Sequence, residues 1–154
     1  MDQKSQIAEL STEFANNIKV GADHEKDVLD GLEVDIPDKD MFYTYLVLWE
    51  TWMFFMALGR VNPAQGEEIF NKTLIQTAGI LRKITLERFM ALSRDLFPLF
   101  TNCMVRSREE KLSDVLSTLL YGKENVIDGF DDYVDKVTST TIDFHQSTIR
   151  DVLG

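Results

Sequence analysis

The sequence is short of the residues that usually announce chemistry. It has one cysteine, Cys103, so no disulfide can close within the chain. With two histidines, His24 and His145, it cannot assemble a four-ligand zinc set without carboxylates. Neither histidine sits in an ExxH or HExxH pattern, which removes the sequence support for a carboxylate-bridged di-metal bundle or a zinc hydrolase. No histidine lies between them either, where a globin-type haem protein needs its proximal ligand. Glycines are too scattered for a phosphate-cradling loop or a nucleophile elbow. The Asp30-Gly31 and Asp128-Gly129 pairs fail the calcium-loop spacing, because Lys26 and Val126 fall where oxygen ligands are needed. No catalytic residue, metal or cofactor is therefore assigned. The first residues, Met1-Asp2-Gln3-Lys4, lack the charged-then-apolar secretory pattern, so a reducing cytoplasmic setting is expected.

Proline is also rare, and each of the three marks a boundary. Asp38 follows Ile36-Pro37 as an N-cap, and Asn62-Pro63 pairs a cap with a first-turn proline. Pro98 falls inside a helical pattern and predicts a kink or break. Between these marks the apolar residues recur at helical spacing. Ile7, Leu10, Phe14 and Ile18 define a first helix over 5–20 with Gly21 as its stop. Residues 21–37 then form an acidic connecting segment of short helix and loop. Further helices follow over the stretch after Pro63, over 86–104, and from a Ser107/Glu110 capping box to Tyr121 and Gly122. The last segment carries Phe130, Val134, Val137, Phe144 and Ile149 at helical spacing. Its run Val137–Ile142 is rich in β-branched residues, which lowers helix propensity. The expected fold is all-α: one domain over 1–154, a bundle of about six helices around a central apolar helix at about 38–59.

That central helix is the strongest feature. From Met41 to Leu58 there are 18 residues with Glu50 as the only charge, and seven of the sixteen aromatics lie between Phe42 and Phe55. A helix apolar all round belongs in a core, a membrane or a partner. Glu50 near a bilayer centre would cost about 2.5–3.5 kcal/mol on insertion scales, and no Lys/Arg cluster flanks the helix, so a core helix is preferred and no membrane is expected. An ionised Glu50 in that core needs a partner, and Arg82, Arg88 and Arg94 are the obvious donors. The same stretch offers a candidate apolar pocket or dimer interface at Trp49, Glu50, Trp52, Met53, Phe54 and Met56, with the polar atoms of Glu50 as anchor.

The net charge of −10 is unevenly placed: residues 1–59 carry −8, 60–111 carry +3 and 112–154 carry −5. Such a chain repels nucleic acid and favours basic partners. The candidate partner-binding surface comprises Asp23, Glu25, Asp27, Asp30, Glu33 and Asp35, joined by Asp128, Asp131, Asp132 and Asp135. His145 is expected at the surface or as a cap, and Cys103, despite Arg106 and Arg108 nearby, as a packed side chain. The leading expectation is a non-enzymatic, acidic protein–protein interaction domain of the inhibitor, immunity, antitoxin or chaperone kind, engaging a basic protein. A small-ligand binder or sensor with an aromatic/Met pocket, and a homodimeric structural protein, are the alternatives.

Overall fold

The computed structural model describes positions 3–105 and 110–153. They form six helices: α1 (Gln3–Asp30), α2 (Lys39–Val61), α3 (Pro63–Ala78), α4 (Leu86–Val105), α5 (Leu112–Tyr121) and α6 (Phe130–Leu153). The architecture is the all-α bundle expected. Helix α2 runs through its middle and touches all five others, most extensively α6, while α1 spreads across α2 and α3. By length and composition α2 is apolar enough to cross a bilayer. In this fold Leu46–Phe54 are buried without interruption, so the surrounding helices take up the apolar surface on every side.

Local chemistry sets the start of α2 as anticipated, but the helix does not end at Gly59 and continues to Val61. The Asp38 carboxylate accepts from the backbone N–H groups of Asp40 and Met41. Asn62 closes α2 with its own backbone N–H and opens α3 with its side chain, which accepts from the Gln65 N–H. Gly122 ends α5 in the left-handed conformation, φ 82°, donating its N–H to the Thr118 carbonyl.

Three further expectations need correction. Gly21 does not stop α1, which continues nine residues further to Asp30, so the first half of the supposed acidic linker is helix. The reason is packing. The buried stripe Phe14, Ile18, Ala22, Glu25, Leu29 runs straight past the glycine at helical spacing. Helix α4 is not broken at Pro98 but runs through it. Helix α5 begins at Leu112 with Lys111 as a cap that makes no side-chain bond; Ser107, the proposed capping residue, lies outside the described residues. The last segment is helical as its apolar spacing indicates, and its β-branched run is helical throughout, because Val134, Thr138, Ile142 and Ile149 all face the core and burial outweighs propensity.

Candidate functional sites: an acidic end, an aromatic groove and a buried carboxylate cluster

The two acidic stretches lie about ninety residues apart in the chain and meet at one end of the bundle. The Phe42 ring sits 5.8 Å from Tyr121, and Tyr121 sits 6.4 Å from Phe130, which ties the start of α2 to the end of α5 and the start of α6. A side-chain carbon built on Gly122 would stand 3.4 Å from the Pro37 ring. Residues 26–40 and 122–136 together hold eleven acids and four lysines, seven of the ten net negative charges. Asp27, Asp30, Glu33, Asp35, Asp128, Asp132 and Asp135 are exposed there.

Asp30 accepts from Lys26 at 2.7 Å, and other members of the expected surface are engaged as well. Asp23 accepts from Lys19 at 2.6 Å and from the Tyr43 hydroxyl at 2.6 Å. Partial burial raises its pKa, but these bonds and the lysine charges outweigh it and hold the carboxyl below its usual range. Asp131 accepts from Ser113 and Lys111, and its pKa is lowered for that reason. Glu25 is not on this surface at all, being 2% exposed. Among these acids lies a recess of about 570 Å³, lined by Asp30, Glu33 and Asp35, by Lys26 and Lys39, and by the apolar Ile36 and Phe42.

The central aromatics behave differently from a pocket lining. Trp49, Trp52, Met53 and Phe54 have no exposed surface and fill the core. Trp52 donates its indole N–H to Thr101 Oγ1 at 3.1 Å, and the Thr101 hydroxyl donates to the Phe97 carbonyl at 2.9 Å with the sulfur of half-buried Met56 3.9 Å away. The aromatic opening lies one position further on, at Phe55, 39% exposed. Phe55, Phe70 and Phe97 pack with centroids 4.8–6.0 Å apart. With Met90 and Pro98 they line a groove of about 950 Å³ among α2, α3 and α4, and Glu87 and Arg94 bear on the same groove.

The third site was not legible as such in the sequence. Glu50, 2% exposed, meets no arginine: Arg82, Arg88 and Arg94 are all at the surface. Its neighbours are Glu25 from α1, within hydrogen-bonding reach, and His145 from α6, with Nε2 at 3.7 Å from Glu50 Oε2. His145 is 1% exposed, neither a surface nor a capping residue, and the Phe54 ring stands edge-on to it at 5.5 Å. A side-chain carbon on Gly21 would lie 2.5 Å from Glu50 Oε1, so the glycine is what admits this carboxylate beside α1. Glu25 Oε2, both His145 ring nitrogens and the Tyr133 hydroxyl are buried with no hydrogen-bond partner among the described residues.

Two ionised carboxylates at hydrogen-bond separation, roughly 3 Å, repel by about 5 kcal/mol even at an effective dielectric constant of roughly 20. Burial first, then the hydrogen bond to Glu50 and its charge, pushes the Glu25 pKa far above the carboxylate range, so Glu25 is protonated at neutral pH. Burial likewise raises Tyr133, with smaller contributions from Glu25, Tyr121 and Glu50. Among the described residues no group of three or more His, Cys, Asp or Glu has the arrangement of a metal site. The Cys103 thiol is buried between α4 and its neighbours, and burial raises its pKa.

The signal for Glu25 and His145 was present but masked. Each occupies a core position of its helix: Glu25 between Ala22 and Leu29, His145 between Ile142 and Ile149. Reading Gly21 as a stop took Glu25 out of that stripe.

The fold thus defines an all-α helical bundle. No family model, curated protein or solved structure matches the chain.

Proposed function

We propose that this protein is an interaction domain that docks a basic protein partner on the acidic end of the bundle. The observation that carries the reading is the meeting there of two distant acidic stretches, joined through Phe42, Tyr121 and Phe130 and through Pro37 against Gly122. A lysine or arginine side chain suits the recess below Glu33 and Asp35, where three carboxylates outnumber Lys26 and Lys39: its stem packs on Ile36 and Phe42 while its charge meets Glu33 and Asp35. Clustered charge of one sign also speeds encounter with a partner of opposite sign.

The test is binding to a panel of lysine- and arginine-rich peptides, wild type against two charge-matched variants. Neutralising Asp30, Glu33 and Asp35 to their amides should weaken binding at least tenfold. Neutralising Glu9, Glu13 and Glu67, exposed acids on α1 and α3 outside the two acidic stretches, should change it less than twofold. Raising salt from low to physiological should weaken the wild-type complex. Equal losses in both variants, or affinity insensitive to salt, would discard the proposal.

A second reading rests on the groove of Phe55, Phe70 and Phe97. Its volume falls in the range of small-molecule sites, and Met90 gives it an adaptable wall. A small apolar ligand is the occupant it suits.

A further inference from the structure

Glu25, Glu50 and His145 come from three helices and are sealed in the core. Neither carboxyl is paired with a lysine or arginine among the described residues, and the third polar group beside them is the His145 ring. Two carboxyls within hydrogen-bonding reach need a proton between them, since a carboxylate oxygen can only accept. The space for this arrangement is built in, because Gly21 leaves the Glu50 carboxylate room that any side chain would fill.

We propose that Glu25, Glu50 and His145 form a proton-binding site in the core, whose occupancy holds the second half of α1 against α2. With the proton in place Glu25 donates to Glu50, and the remaining negative charge faces His145 Nε2 at 3.7 Å. Removing the proton sets two charges against each other out of water. The two helices are unequally able to yield. Glu50 lies mid-helix in α2, enclosed by five helices, whereas Glu25 is five residues from the end of α1, followed by the irregular 31–38 loop. Release therefore frees the last turns of α1. The titratable groups around the site are Glu25 on α1, Glu50 on α2, Tyr133 and His145 on α6 and, behind Tyr133, Tyr121 on α5.

The sign follows from the direction of the Glu25 shift. A carboxyl whose folded pKa lies above its ordinary value of 4.5 keeps its proton in the folded chain and loses it in the unfolded one. Its stabilisation is complete below about 4.5 and falls as pH rises toward the folded value. This is opposite to the usual acid denaturation of a carboxylate-rich protein.

The experiment is urea unfolding from pH 5 to pH 8 on wild type and Glu25→Gln, which keeps a neutral donor of the same shape. Relative to the variant, the wild-type folding constant should fall by up to tenfold per pH unit. A ratio independent of pH overturns the proposal. Amide hydrogen exchange on the wild type supplies a second readout: protection at residues 22–30 should fall with rising pH while that of α3 holds. Unchanged protection at 22–30 overturns it equally. Zinc chloride against EDTA distinguishes a cation from a proton. A wild-type melting temperature raised by zinc and lost in Glu25→Gln would make the cluster a metal site and overturn the proposal; insensitivity to both supports it.

Discussion

Replacing Gly21 by alanine separates two opposed effects at one atom. In an exposed helix interior the change stabilises by about 1 kcal/mol, because glycine has the poorer propensity and the larger unfolded-state entropy. Here the new methyl carbon would meet Glu50 Oε1, Cδ and Oε2 at 2.5, 2.6 and 2.9 Å. The carboxylate would have to retreat by about 1 Å, and it is boxed in by Glu25 and His145. Overpacking of this kind costs about 1–3 kcal/mol. The expected net result for Gly21→Ala is a loss of about 1 kcal/mol. In a Glu50→Ala background the obstacle is gone, and the same substitution should gain about 1 kcal/mol, a coupling of about 2 kcal/mol. Urea unfolding followed by the fluorescence of Trp49 and Trp52, both in the core, reports it directly. A stabilising Gly21→Ala in the wild type, with no coupling to position 50, would refute the placement of Glu50 over α1.

Two further outcomes probe other parts of the molecule. Phe55→Glu puts a charge at the mouth of the aromatic groove, where the ring is already 39% exposed. The folded variant should bind a hydrophobic fluorescent dye at least tenfold more weakly than wild type, and equal binding would remove the groove as a ligand site. The Cys103 thiol, raised in pKa by burial, should react with a disulfide reagent at pH 8 more than tenfold slower in the native protein than in urea; equal rates would contradict its packing.

How far the sequence could be read depended on whether a feature was local. Asp38, Asn62 and Gly122 act within four residues of themselves, so the helix ends they set were legible. The apolarity of α2 also told its place, since eighteen residues with one charge have to be enclosed. Gly21 misled because a helix glycine has two meanings, a stop or a close approach, and the group that approaches is twenty-nine positions away at Glu50. The partners of Glu50 were illegible for the same reason. An unpaired acid in a core suggests an arginine by charge alone, yet the fold supplies a second acid and a histidine, which a shared proton makes compatible. The acidic surface was half legible. Its residues were visible in the charge distribution, but their meeting on one end came only from the packing of Phe42, Tyr121 and Phe130.

The most direct test of the acidic end as a docking surface is site-specific photocrosslinking in the native host. A photoreactive residue is placed at position 35 in the acidic loop and, as control, at position 13 on α1, both exposed. Docking there gives a crosslink from position 35 to a lysine- and arginine-rich segment of one protein, lost when Asp30 and Glu33 are neutralised and absent from position 13. Crosslinks at equal yield from both positions, or from position 35 to segments without basic character, would contradict it.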